Sequence, residues 1–272
     1  MYLSRHDTPE GPRWALDGSF LAPSFDLRSL LGLPEKSVAG FLRSAPVTSP
    51  ATGRPLPPIE PTQEVWAAGV TYLRSREARE AESTVRDVYA RVYDAERPEL
   101  FFKSPGWRVV GHGMRIRVRG DSRWNVPEPE LTLVVNSHRE IVGYCAGDDV
   151  SSRDIEGENP LYLPQAKVYD GSCALGPGIV LGDVDRLKDL TVRLEVRRDG
   201  GRVCEGETHT SKIKRPLEEL VSYLGRELAL PQGAFLMTGT GIVPPPEFSL
   251  RRGDVVRVAV GPLVLENEVG PE

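Results

Sequence analysis

The sequence predicts a strand-rich α+β fold, on three observations. Strand-like stretches recur from Glu64 to the C-terminus, while only two or three segments have helical character. Strands and helices do not alternate in a repeating pattern, which disfavours Rossmann and barrel arrangements. Turn signals separate neighbouring strand stretches, the strongest being Asp199-Gly200-Gly201.

The elements follow in order. Residues 1–60 have weak periodicity and many prolines, ending in Pro55-Leu-Pro-Pro58. They read as a small N-terminal domain or arm with a linker, and residues 61–272 as the catalytic domain. Glu64 to Val70 reads as a buried strand ending near Gly69. Residues 73–92 are rich in Arg, Glu and Ala and lack Gly and Pro, which predicts a charged helix. Ser83 and Thr84 interrupt it, so helix–break–helix is an alternative. Strands are expected at 99–103, at 107–119 with His112-Gly113 as a turn, at 128–136 and at 140–148. Asn136 and Ser137 mark a hairpin tip between the last two. Further strands are expected at 178–182, 191–198, 201–207 and 254–267. One amphipathic helix is expected at 216–228, with Pro216 in its first turn and Leu217, Leu220, Val221 and Leu224 on one face. The sequence contains no internal repeat or low-complexity tract.

Bulk properties narrow the function. The chain of 272 residues carries 34 basic and 39 acidic side chains, a net charge of −5. That balance argues against a nucleic-acid or membrane-surface role, which needs a basic patch. No segment approaches the roughly 20 apolar residues of a spanning helix. Met1 to Pro12 is polar and has no apolar signal core, so a cytoplasmic protein is expected. Cys145, Cys173 and Cys204 are isolated from one another and read as small buried apolar residues. His6, His112, His138 and His209 are scattered and form no metal-type pair.

The chemistry begins at Glu128-Pro129-Glu130. Side chains of a strand repeat with a period of two, so the two glutamates project from one face while Pro129 points the other way. Pro129 lacks an N–H donor and suits an edge or the first residues of a strand. Two parallel carboxylates joined by a third acid make an all-oxygen site for a hard divalent cation such as Mg²⁺. Taken alone, Glu-x-Glu is also compatible with a solvated strand edge.

The motifs around that pair carry a resemblance. Pro127-Glu-Pro-Glu-Leu131, Gly143-Tyr-Cys-Ala-Gly-Asp-Asp-Val-Ser-Ser-Arg-Asp154, Gln165-Ala-Lys167 and Gly176-Pro177 occur in this order. Leu236-Met-Thr-Gly-Thr-Gly-Ile-Val-Pro244 and Leu250-Arg-Arg-Gly-Asp-Val-Val256 follow them. Together they resemble the fumarylacetoacetate hydrolase family across most of residues 65–270. The string Asp154 to Lys167 is similar to the branch of 2-keto-3-deoxy sugar acid dehydratases. The resemblance implies a mixed β-sandwich roll with the metal site at its mouth, a small N-terminal domain beside it, and assembly as a homodimer or homotetramer. It implies Glu128, Glu130 and Asp149 as ligands of Mg²⁺, with Mn²⁺ or Ca²⁺ as alternatives. Asp148 stands where most relatives have Asn. Neighbouring strand residues alternate faces, so Asp149 is expected to reach the ion while Asp148 turns toward backbone or solvent.

Three carboxylates around Mg²⁺ leave a charge near −1, so an anionic 2-oxo acid needs cations nearby. Arg153, Lys103 and Lys167 are the candidates; Lys167 matches the family's active-site lysine, and Arg153 could instead pair with Asp154. Thr240, within Thr238-Gly-Thr-Gly241, resembles a loop near the substrate carboxylate. Hydrolases and decarboxylases of the family use a His–Glu pair on a lid after Gly-Val-Asn-Tyr. Here the segment reads Gly69-Val-Thr-Tyr-Leu-Arg-Ser-Arg-Glu77, with no histidine between residues 61 and 111. A base to activate water is therefore missing, and elimination of water from a 2-keto-3-deoxy acid becomes the expected reaction. Lys167 and Glu82 are the candidates for proton transfer, and a five-carbon substrate would give 2,5-dioxopentanoate. The alternative is an acylpyruvate-type C–C hydrolase or an oxaloacetate decarboxylase.

Overall fold

The computed structural model describes residues 1–82, 91–182 and 184–271. The N-terminal stretch forms β1 (Tyr2–Thr8), β2 (Gly11–Leu16) and β3 (Ser19–Leu21), then helices α1 (Leu27–Leu31) and α2 (Glu35–Ser44), then β4 (Val47–Pro50) and β5 (Arg54–Leu56). Asp26 caps α1 by accepting a hydrogen bond from Ser29 N at 2.7 Å. Next come β6 (Glu64–Gly69), α3 (Leu73–Glu82), β7 (Glu99–Pro105), β8 (Arg115–Ile116), β9 (Asn125–Val126), β10 (Pro129–Val135) and β11 (Ile141–Asp149). They are followed by β12 (Ser151–Ser152), α4 (Arg153–Glu158), α5 (Leu163–Lys167), β13 (Cys173–Leu181), β14 (Thr191–Arg198) and β15 (Gly201–His209). The chain closes with α6 (Leu217–Leu224), β16 (Ala234–Met237), β17 (Val255–Val260) and β18 (Leu263–Val269).

Among the described residues these strands form three sheets. The largest runs β4-β3-β2-β1-β13-β11-β10-β16-β6-β7, with β5 beside β1. A second runs β15-β14-β17-β18-β8, and β12 pairs with β9. Strands β10, β11 and β13 pack against β14, β17 and β18, so two sheets enclose the core in the expected mixed sandwich. Every residue of β10 and β11 is buried, which gives the centre of the large sheet apolar contacts on both faces.

Pairing directions place the site. β10 and β11 are antiparallel, with Pro129 opposite Asp148. The start of β10 and the end of β11 therefore lie at one end of the sheet. β16 runs antiparallel to β10 and parallel to β6, so β16 and β6 both finish at that end. β7 begins there too, with Glu99 opposite Gly69. Five strand termini thus converge, and the chemistry-bearing residues sit on them.

Several expectations shift. The first 60 residues, expected as a small domain or arm, continue the large sheet: Tyr2 and Leu3 on β1 pair with Val180 and Ile179 on β13. Leu3, Trp14, Leu21, Leu30 and Leu31 share one core cluster with Leu131 and Leu175. The strand expected at 107–119 is mostly irregular, because Gly106 and Gly111 let the chain pass close to its neighbours and Gly113, at φ 75°, turns it. A Cβ on Gly111 would stand 2.6 Å from Pro57 N. Strand 254–267 is instead a hairpin, turning at Gly261 with φ 54°. The helix expected at 216–228 stops at Leu224, where Gly225 N closes on Val221 O at 3.0 Å. Ser83 and Thr84, the proposed break in the charged helix, lie outside the described residues; residues 91–94 are again helical. The Asp199-Gly200 turn is as expected, with φ 50° and 79°.

Candidate active site

Glu128, Glu130 and Asp149 offer ligand oxygens that all lie within 4.8 Å of one another, and all three residues are buried. The period of two brings the two glutamates together, and the β10–β11 register brings Asp149 to them. Asp148 points away. Its Oδ1 accepts a hydrogen bond from Glu128 N at 2.9 Å, and burial pushes its carboxyl up to about 7, with the charge of Asp149 adding to the effect. The alternation expected for the Asp-Asp pair is the one observed.

Burial also raises the Glu128 and Glu130 carboxyls; at Glu130 the neighbouring Asp149 and Glu128 push the same way. Cations offset this crowding. Lys167 Nζ lies 2.6 Å from Glu128 Oε2, 3.0 Å from Asp149 Oδ2 and 2.6 Å from Ser151 Oγ. Burial works against its charge, but Asp149 and Glu128 outweigh it and hold the ammonium well above the usual lysine range. Arg153 donates to Glu128 Oε1 and, at 2.7 Å, to Glu156 Oε2. Asp154, its alternative partner, accepts instead from Ser122 Oγ and Arg123 N.

Lys103 was expected to meet substrate, but the structure encloses it completely. Its ammonium pairs with Asp149 Oδ1 and donates to Val150 O at 3.1 Å and Lys167 O at 2.6 Å. With 0% exposure it stands behind Asp149, not in the cleft. Replacing it with methionine would leave Asp149 Oδ1 buried without its cation and take one donor from each of two carbonyls. Lys103→Met should therefore cost about 3–5 kcal/mol of stability, read as a lowered unfolding midpoint in denaturant. A midpoint unchanged from wild type would refute this account of Lys103.

The Gly239 turn supplies another fixed donor. Gly239 has φ 89°, and a Cβ there would come 2.1 Å from Thr71 Oγ1. Its N–H donates to Glu130 Oε2 at 2.6 Å and orients that carboxylate. Thr240 lines the cleft, and its hydroxyl oxygen accepts from Ile242 N at 3.2 Å. Glu82 ends α3, but its side chain lies outside the described residues.

The sequence reading missed three charged lining residues. Glu99, opposite Gly69, is half-buried; burial and the nearby Glu156 push its carboxyl up to about 7. Its carboxylate rests over the bare Cα of Gly69, where a Cβ would meet Glu99 Oε2 at 2.2 Å. Only the strand register reveals that contact. Arg79 of α3 and Glu156 of α4 are buried and paired at 3.2 Å. The spacing Arg153-Asp-Ile-Glu156, one helical turn, was the available signal.

The cleft is lined by the three carboxylates, Lys167, Arg153, Glu156, Glu99, Arg79, Phe101 and Thr240 among others. The donor set suits a hard divalent cation. It is all carboxylate, and Glu130 Oε1 has no hydrogen-bond donor among the described residues. Among the described residues no histidine lines the cleft. Among the described residues no helix is long and apolar enough to cross a membrane.

The chain is similar to several known proteins. A probable 2-keto-3-deoxyxylonate dehydratase of Haloferax volcanii is 51% identical over 199 residues, covering 73% of this chain and 68% of that one. A 2-dehydro-3-deoxy-D-arabinonate dehydratase of Saccharolobus solfataricus is 45% identical over 208 residues, covering 75% and 70%. A solved structure of a 2-keto-3-deoxy-D-arabinonate dehydratase complexed with magnesium and 2,5-dioxopentanoate superposes with a TM-score of 0.85. It is 35% identical to this chain and covers 100% of it, with 99% of that chain covered in turn. The family description "Fumarylacetoacetate (FAA) hydrolase C-terminal" matches residues 64–270, and with it the chain belongs to the fumarylacetoacetate hydrolase family.

Proposed function

We propose that the protein is a metal-dependent dehydratase, a hydro-lyase that removes water from a 2-keto-3-deoxy sugar acid such as 2-keto-3-deoxy-D-arabinonate to give 2,5-dioxopentanoate. The observation that carries this reading is the buried carboxylate trio tied to Lys167 in a cleft lined, among the described residues, by no histidine. The relatives named for this chemistry support it.

Glu128, Glu130 and Asp149 would hold the cation. When bound there, Mg²⁺ (Mn²⁺ and Ca²⁺ being alternatives) supplies Lewis acidity that polarises a 2-oxo group and acidifies the C3 protons. The remaining chemistry falls to side chains. Glu99 accepts the C3 proton: its carboxyl titrates near neutral pH, so both protonation states are accessible during turnover. Lys167, held as an ammonium, donates a proton to the departing C4 hydroxyl. The Thr240 hydroxyl, oriented by Ile242 N, faces the substrate carboxylate. Glu82 stays a candidate for proton transfer from α3. Assembly as a homodimer or homotetramer in the cytoplasm belongs to the same proposal; light scattering on the purified protein measures the assembly.

Two experiments test the reading. Glu99→Gln keeps the shape and removes the base, so kcat should fall by about 10²–10⁴-fold; a kcat within threefold of wild type would remove Glu99 from the mechanism. In a side-by-side assay, 2-keto-3-deoxypentonate should be consumed while an acylpyruvate and oxaloacetate are not. Faster cleavage of the acylpyruvate, or faster decarboxylation of oxaloacetate, would favour the alternative activities of the family.

A further inference from the structure

A line of alternating buried charges leads from α3 to the carboxylate trio. Arg79 Nη1 lies 3.2 Å from Glu156 Oε2, and Arg153 Nη1 lies 2.7 Å from the same oxygen. Arg153 Nη2 then meets Glu128 Oε1. Arg79, Glu156, Arg153 and Glu128 are 5%, 7%, 3% and 6% exposed, so the chain runs through the protein interior and solvent screens it weakly. α3 contributes both Ser75 and Arg79 to the wall of the cleft. Glu156 thereby links the wall helix to Arg153 and, through it, to the three carboxylates.

We infer that Glu156 is a positioning residue that seats α3 over the cleft through Arg79 and, through Arg153, sets how tightly the Glu128–Glu130–Asp149 site holds a divalent cation. The physical reason is a division of Arg153. Glu156 holds Nη1 of Arg153 while Glu128 meets Nη2, so part of the guanidinium charge is spent away from Glu128 and leaves that carboxylate charge for a cation. Without the Glu156 charge, more of the Arg153 charge bears on Glu128 and competes with the incoming ion. Arg79 acts in the opposite sense. It draws on the charge of Glu156, so its removal leaves more negative potential facing the site. The inference rests on the proposed function only in assigning a divalent cation to the three carboxylates.

The two substitutions therefore have opposite expected signs. Mg²⁺ titrated calorimetrically into chelator-stripped protein should bind about tenfold more weakly to Glu156→Gln than to wild type. It should bind about threefold more tightly to Arg79→Met. Glu156→Asp, which restores the charge, should recover most of the wild-type affinity. In both of the first two variants the amides of Leu73–Glu82 should exchange hydrogen faster in the metal-free protein, because either change unseats α3. A merely structural role predicts loss of stability in both variants with Mg²⁺ affinity moving the same way in each. Affinities that move together, or that stay unchanged in Arg79→Met, overturn the inference. If Glu156→Gln does not fold, the sign in Arg79→Met decides alone. Wild-type protein that binds no Mg²⁺ would instead remove the proposed cation, an outcome distinct from a wild type that binds while the variants shift in parallel.

Discussion

A Glu128→Gln variant should lose Mg²⁺ affinity by at least about 100-fold and lose turnover with it, while remaining folded. Glu128 is the junction of the site. One of its oxygens meets Arg153, the other lies 2.6 Å from Lys167, and it belongs to the only acidic cluster with metal-type spacing among the described residues. Removing its charge acts twice. A divalent cation loses one of three anionic ligands, and two buried cations lose a shared partner and add their repulsion to the cost of bringing the ion in. The amide of glutamine keeps one oxygen for Lys167 and limits the damage to packing. Isothermal titration with Mg²⁺ and a dehydration assay on the same preparation read both effects. A variant that binds Mg²⁺ as wild type does would show that the cation sits elsewhere.

Lys167→Met should behave differently, and the contrast is informative. Its ammonium touches Glu128, Asp149 and Ser151. Those carboxylates are also the proposed cation ligands, so deleting the lysine removes a competitor for them, and Mg²⁺ affinity should hold or rise. Turnover should nonetheless fall by about 10²–10⁴-fold, because the proton donor for the departing hydroxyl is gone. Retained metal binding with lost catalysis separates the two functions that share these oxygens. If instead the variant kept turnover within threefold of wild type, Lys167 would be a structural counter-ion and the acid would lie elsewhere.

How much of this was legible in the sequence depends on the range of each signal. Glu128-Pro-Glu130 could be read because a period of two is local, and Pro129 stands at the first position of β10 as its missing N–H requires. Alternation allowed only one of Asp148 and Asp149 to reach the site, and the family resemblance pointed to Asp149. The β10–β11 hairpin was readable from its turn: Asn136 Oδ1 accepts from His138 N and Glu140 N, a local pattern that asparagine favours. Glu99 was not readable, because its place against Gly69 depends on β6–β7 register across about thirty intervening residues. Lys103 was misjudged as a substrate contact for a related reason: strand position alone does not say that Asp149, Val150 and Lys167 close over its ammonium. The N-terminal strands escaped notice because β1 carries Ser4, Arg5, His6 and Asp7 in a row and gives no apolar alternation. Arg5 is nonetheless accommodated in the interior by Ile59 O at 2.8 Å and Glu60 at 3.7 Å. Tertiary partners, not local preference, make that strand.

The central claim is that three buried carboxylates hold a divalent ion on which dehydration of a 2-keto-3-deoxy sugar acid depends. The most direct measurement follows formation of 2,5-dioxopentanoate from 2-keto-3-deoxy-D-arabinonate by protein stripped with EDTA, before and after Mg²⁺ is restored. The account predicts no product from the stripped protein and full recovery on adding Mg²⁺. Equal rates in both, or no product in either, would contradict it.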